Sequence, residues 1–238
     1  MASMFRMRYP VGYNVDFFNG TGWGPARRHL DACTQALNWG ADWILILGAD
    51  QVYPPDLLER LMARIENGSP DGSRVEVISA MVPTRGYLGR WDMKPFQPMA
   101  WRLKSNGLSP VGWTDADKEV VRREDGDLQR IDFIGSGVLL FHRDHILSLK
   151  KPWFFETIDH ETQIRTANMD AWFVWRLHAE AGAQVWCDTT IMVKHTTDMD
   201  VDESFQDRFS DYAEPGVGPS DICMEAPSTK RPVLALEA

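Results

Sequence analysis

Cysteine is scarce in this chain: Cys33, Cys187 and Cys223 are the only three in 238 residues, and none stands at CxxC or zinc-ligand spacing. That argues against a disulfide framework and a structural zinc site, and makes a reducing compartment the default. Long apolar runs are missing too, and the first residues lack a charged-then-apolar leader pattern, so a cytoplasmic protein without a membrane span is expected. Positive charge is in deficit. Lys and Arg total 25 against 34 Asp and Glu, a formal net charge of -9. Nucleic acids and anionic membranes are held by basic faces that release counterions, so neither is expected as a partner. An anionic ligand would need locally placed help.

What the chain does have is a sharply bounded apolar run, Trp43 to Leu47, followed by Gly48, Ala49 and Asp50. The run reads as a strand buried on both faces, and Asp50 then lies at its carboxyl end, where open α/β sheets leave a crevice for ligands. Pro54 and Pro55 suit the first turn of a helix, and Leu57, Leu58, Leu61, Met62 and Ile65 follow at helical spacing. The unit is strand, acidic loop, helix.

Upstream, residues 1–24 carry no sustained period. From Pro25 a helix is expected, with Leu30, Cys33, Ala36 and Leu37 on one face and Gly40 as its stop. Downstream, Val75 to Val82 reads as the next strand, which makes a βαβ crossover with a parallel pair of strands the expectation. Residues 84–101, with Arg85, Tyr87, Arg90, Trp91 and Trp101 among Gly and Pro, suit a long functional loop or irregular strands. Ile131 to Phe141 reads as one buried strand interrupted by Gly135-Ser136-Gly137, Asp170 stands at a helix start, and Gln184 to Val193 is a last strand closed by Lys194-His195. The organisation expected is one domain over 1–196 and an acidic, Pro- and Gly-containing tail over 197–238. The alternating acids Asp198, Asp200, Asp202 and Glu203 lack the glycine and terminal acid of a calcium loop.

Asp50, Asp170 and His195 all stand at ends of expected elements. A carboxylate and an imidazole at one sheet edge can hold a divalent metal with positions left for phosphate oxygens, and a second carboxylate can serve as general base. Each has a plainer alternative: a loop acid capping the next helix, a helix N-cap, a surface histidine at a strand end. Ten tryptophans are many for this length, and packing accounts for most of them.

The succession Ala26-Arg27-Arg28, then Gly40 to Asp50, then Asp132 to Gly137, then Met169-Asp170 with Trp172-Phe173, then His195 resembles a GT-A-fold glycosyltransferase of the family-2 type, over about residues 25–196. The resemblance implies an α/β, Rossmann-like, mostly parallel sheet flanked by helices. It implies an enzyme that moves a sugar from a nucleotide-sugar donor to an acceptor hydroxyl, on a glycan or another molecule, with Mn²⁺ or Mg²⁺ at the donor diphosphate and inversion at the anomeric carbon. On that resemblance Asp50 matches the second acid of D-x-D and His195 completes the metal site. Asp170 matches the base of the "ED" pair, and Arg27 the arginine near the nucleotide. Gly135, Ser136 and Gly137 would let backbone approach a sugar, or else only shape a bulge, and Trp153 and Phe155 would form an acceptor platform, or else pack in the core.

The sequence departs from that pattern at Gly48, where the first acid of D-x-D is expected, at Met169, which replaces the first acid of "ED", and at Arg28, which replaces Asn. Residues 1–24 show no counterpart of the first nucleotide-binding strand, so that strand is short or missing. The alternative is a catalytically degenerate relative that binds a glycan or nucleotide, or acts as a scaffold.

Overall fold

The computed structural model describes residues 3–83, 98–104, 109–163, 165–196 and 200–201. Thr84 to Gln97, and with them Arg85, Tyr87, Arg90 and Trp91, lie outside the described residues, as do Cys223 and the tail acids other than Asp200.

Among the described residues before 24 the chain forms only a three-residue 3-10 turn, Met4–Arg6, and no strand. It runs along the helix that follows the acidic loop, with Arg8 N–H donating to Pro55 O (2.7 Å) and Arg8 paired with Glu59 at 2.7 Å. Helix α1 is Gly24–Trp39, with Pro25 in its first turn, where a missing N–H costs nothing. Gly40 ends it at φ 92°, a left-handed turn that glycine enters without strain. Strand β1 (Trp43–Leu47) and the short β2 (Gln51–Val52) flank the Asp50 loop, and α2 (Leu57–Asn67) buries Leu57, Leu58, Leu61 and Met62 on one face. Each such side chain contributes about 1.5–3 kcal/mol.

The remaining strands are β3 (Val77–Met81), β4 (Ala100–Leu103), β5 (Lys118–Val120), β6 (Leu128–Ile131), β7 (Phe133–Ile134) and β8 (Val138–His142), followed by helix α3 (Arg143–Ser148). Then come β9 (Thr157–Ile158), β10 (Arg165–Ala167), helix α4 (Met169–Ala179), β11 (Val185–Met192), β12 (Lys194–Thr196) and β13 (Asp200–Val201). The main sheet has the order β1-β8-β3-β11-β6. Smaller sheets are β5-β4-β7, β13-β12-β2 and the pair β10-β9. Because β13 pairs with β12, the sheet takes in backbone beyond residue 196.

The fold is mixed α/β, but the sheet is not mostly parallel. β1–β8, β8–β3 and β11–β6 are antiparallel, and only β3–β11 is parallel. β1 and β3 run in the same direction, as a crossover through α2 requires, yet β8 is inserted between them and pairs with both. β1 is therefore an edge strand among the described residues, its alternate side chains only half-buried. An apolar run reports burial and says nothing of the neighbour's direction. The stretch expected as one strand from 131 to 141 is three: Asp132 accepts the Leu103 N–H (2.7 Å) and the chain passes from β6 into β7 of the small sheet, then returns through Gly135–Gly137 to β8.

Helices cover both faces. Ile44, Ile46, Val77, Leu139 and Phe141 pack with Cys33 and Ala36 of α1 and Phe173, Val174 and Leu177 of α4. The opposite faces, Ile78, Ala80, Val138, Leu140 and Trp186, pack on α2 and Met7. Burial pushes the Cys33 thiol up to about 12, so this cysteine is a core side chain and not a nucleophile. Among the described residues no helix is long and apolar enough to cross a membrane.

One buried charge ties α2 to the sheet. Asp188, 1% exposed, accepts from Arg64 Nε (2.8 Å), Thr190 N–H (2.9 Å) and Thr190 Oγ1 (2.5 Å), where β11 breaks register with β3. Arg64→Ala leaves that carboxylate without its cation. The expected loss is on the order of 2–3 kcal/mol in denaturant unfolding, below the value for a fully buried pair because the Arg64 side chain is 33% exposed. A double variant with Asp188→Val should recover most of it.

Candidate functional site

β1, β3 and β11 run one way and β8 the other, so the carboxyl ends of three strands meet the start of the fourth at one edge of the sheet. Each delivers a polar group there. Asp50 follows β1, Pro83 follows β3, His195 follows β11, and Ser136-Gly137 lead into β8. The edge is pinned by Gly48 N–H donating to Gly137 O (2.9 Å), and Tyr53 Oη donates to Gly48 O (2.5 Å) with Gly137 O at 3.2 Å. Burial pushes the Tyr53 hydroxyl far up from its usual range, so it stays a neutral donor at any ordinary pH.

Asp50 and His195 come together, with His195 Nε2 at 3.5 Å from Asp50 Oδ2. Two further bonds hold the pair: Thr196 N–H donates to Asp50 O (2.8 Å), and β12 pairs with β2 with His195 opposite Gln51. His195 is 7% exposed and its Nδ1 lies 2.9 Å from Pro83 O. A carbonyl only accepts, so Nδ1 carries the proton of that contact, and Nε2 is the ring nitrogen that faces the carboxylate. That is the orientation in which a backbone carbonyl prepares an imidazole to bind a metal. Among the described residues no group of three or more His, Cys, Asp and Glu converges. An oxygen and an imidazole nitrogen suit Mn²⁺, and Mg²⁺ less well, with the other positions left to ligand oxygens.

Asp170 lies at the first turn of α4 but does not cap it. The cap is Asn168, whose Oδ1 accepts the Ala171 N–H at 2.9 Å. Asp170 is left to accept from Ser136 Oγ on its Oδ1 (2.5 Å), and His29 Nε2 lies 3.2 Å from the same hydroxyl. His29 Nδ1 is 2.8 Å from Pro25 O, and its ring packs on Phe154 with centroids 5.4 Å apart. The serine sits between the imidazole and the carboxylate, the reverse of a nucleophilic triad, in which the imidazole is central. Ser136 therefore positions Asp170 and is not a nucleophile. Arg176, 5% exposed, fixes α4 from beneath through Lys150 O (2.7 Å), Pro152 O (2.6 Å) and both oxygens of Glu180.

Other expected residues are placed differently. Arg27 is two positions from His29 on α1, on another face. It lies against Gly22 and, by its charge, helps hold the Asp31 carboxyl below its ordinary range, after the hydrogen bonds from Thr21. None of these contacts brings it to Asp50. Trp153 is 4% exposed in the core, its indole N–H donating to Leu149 O (3.2 Å), so it is not an open platform. Phe155 instead packs on Trp172, at 4.9 Å between centroids. The closeness at Gly135 is to the Met99 side chain, and at Gly137 to Gln51.

Sequence reasoning missed His29 and Gln51. His29 sits in the segment Ala26-Arg27-Arg28-His29, beside the arginine that the motif singles out. Gln51 follows the acid directly, is 5% exposed, and its Oε1 has no hydrogen-bond partner among the described residues.

No family profile and no curated protein matches this chain. Among solved structures, A197 from STIV is similar over 74% of this chain and 70% of that one, at 13% identity and a TM-score of 0.47.

A Cβ on Gly137 would lie 1.9 Å from Gln51 Nε2, whereas one on Gly135 would lie 2.9 Å from the mobile end of Met99. Gly137→Ala should cost about 1–3 kcal/mol in chemical denaturation and Gly135→Ala less than about 1. Removing the obstacle with Gln51→Ala in the Gly137→Ala background should restore part of the loss, a coupling a double-mutant cycle reads directly.

Proposed function

We propose that this chain is a metal-dependent glycosyltransferase that takes a sugar from a nucleotide-sugar donor and passes it to an acceptor hydroxyl. The observation that carries the reading is the arrangement at the sheet edge. An Asp50–His195 pair suited to a cation is carried by the loop after Gly48, and the serine whose hydroxyl holds the Asp170 carboxylate directly precedes Gly137, the partner of Gly48 in a backbone hydrogen bond. The two halves have different chemistry and adjoin through two consecutive residues, Ser136 and Gly137. The resemblance of the motif order to GT-A enzymes of the family-2 type supports the same reading.

In this mechanism Asp50 and His195 hold Mn²⁺ or Mg²⁺, which when bound offsets charge on the donor diphosphate. Asp170 takes the proton from the acceptor hydroxyl as that oxygen attacks the anomeric carbon from the face opposite the leaving diphosphate, and the configuration inverts. Ser136 keeps the Asp170 carboxylate aimed, and His29 backs the serine. Phe155 and Trp172 offer an aromatic surface for an acceptor sugar.

A second reading, a degenerate relative that binds nucleotide or glycan without turnover, is favoured by Gly48 in place of an acid and by the lack of a strand before β1 among the described residues.

Calorimetry with a panel of nucleoside diphosphates, with and without Mn²⁺, is the test. One nucleotide should bind only with Mn²⁺, and Asp50→Ala should abolish that binding. Asp170→Asn should leave it within about twofold while transfer falls about 10²–10⁴-fold. Binding with no transfer in the wild type would select the degenerate relative, and no binding by a folded wild type would remove both readings.

A further inference from the structure

The first acid of D-x-D is absent at Gly48, and the structure gives that absence a physical cause. A Cβ built on Gly48 would lie 3.1 Å from Gln51 Cδ and Nε2 and 3.2 Å from Asp50 Oδ1. On the other side, a Cβ on Gly137 would lie 1.9 Å from Gln51 Nε2, 2.7 Å from its Cδ and 2.8 Å from its Oε1. The Gln51 carboxamide therefore takes the space that a side chain at 137 would fill and lies tight against that of one at 48, beside the Asp50 carboxylate, with Nε2 the amide atom nearer Gly48 and Oε1 toward Gly137. An acid at 48 and a glutamine in this slot compete for the same space.

The amide is also incompletely satisfied. Gln51 is 5% exposed, and its Oε1 is buried with no hydrogen-bond partner among the described residues. An orphaned buried acceptor costs about 1–3 kcal/mol unless a ligand, ion or water completes it. Carboxamide oxygen is an ordinary neutral ligand for Mg²⁺, Mn²⁺ and Ca²⁺. The backbone makes the placement rigid: Gln51 opens β2 directly opposite His195, and Tyr53 clamps the carbonyl groups of Gly48 and Gly137 that wall the slot.

We infer that Gln51 is the third protein group of the cation site, its carboxamide oxygen serving in place of the carboxylate missing at position 48. The site is then Asp50, Gln51 and His195, one negative charge poorer than a two-acid site. This rests on the cation half of the reading above but not on the transfer chemistry. The consequence is a site whose intrinsic affinity for free Mn²⁺ is modest and which depends on the ligand's own phosphate oxygens for the rest.

The test is binding of Mn²⁺ alone, followed by loss of the free-ion electron paramagnetic resonance signal, with unfolding temperature measured alongside. Gln51→Glu adds a carboxylate in the same slot and should tighten Mn²⁺ about tenfold. Gln51→Leu keeps the volume, removes the oxygen and should weaken Mn²⁺ about fivefold or more, with the fold retained. Gly48→Asp alone should gain nothing in Mn²⁺ affinity, because the carboxamide occupies the space, whereas Gly48→Asp with Gln51→Ser should bind at least as tightly as the wild type. Unchanged Mn²⁺ affinity in both folded Gln51 variants overturns the inference. If those variants are silent while Asp50→Ala still abolishes Mn²⁺-dependent nucleotide binding, only the role of Gln51 falls. If Mn²⁺ binding follows Gln51 and Asp50 but no nucleotide binds, the cation site stands and the transferase reading falls. No Mn²⁺ binding by the wild type, with or without nucleotide, removes both.

Discussion

The hydrogen bond from Gly48 N–H to Gly137 O, 2.9 Å long, is the contact on which the site depends. It extends the β1–β8 pairing one step past the last apolar residue and so brings the acidic loop against the turn that carries Ser136. A side chain at 137 would collide with the Gln51 carboxamide and one at 48 would press on it, and Tyr53 holds both carbonyl groups. Loosening this contact would relax the link between the Asp50 loop and the turn that carries Ser136, leaving it to the adjoining Leu47–Val138 pair and to Tyr53.

That edge is built from long-range constraints converging from both faces of the sheet. α2 packs on one face and is anchored to β11 by the Arg64–Asp188 pair, while α1 and α4 pack on the other and deliver His29 and Asp170 to the same serine. Asn168 takes the capping role at α4, which releases Asp170 for the side-chain network. The division of labour is physical. Backbone hydrogen bonds locate the polar groups, and the buried apolar faces make those locations rigid enough for chemistry.

The longer helices and core strands were legible locally. Pro25 and Gly40 bound α1, the spacing of Leu57, Leu58, Leu61 and Met62 marks α2, and abrupt apolar-to-small transitions mark the end of β1 and the start of β8, because capping and periodicity act within a few residues. The site was legible in part: Asp50 and His195 meet, and Asp170 and Ser136 meet. Arg27 lies away from Asp50, and of the two readings of Trp153 the packed one holds. A helix-start arginine has no local signal for which face it takes, and a tryptophan two residues after an exposed lysine reads alike whether its ring points inward or outward.

By itself the sequence determined the bounds of α1, β1 and α2, and that three polar residues stand at ends of elements, since these follow from short-range sterics, backbone capping and the alternation of apolar side chains. Only the tertiary structure decided that β8 lies between β1 and β3, that the sheet is mostly antiparallel, that His29 reaches Ser136 across 107 positions of chain, and that Gln51 fills the slot left by two glycines. Strand order, side-chain direction and shared space depend on partners far apart in the chain, and no local pattern of residues encodes which partner will arrive.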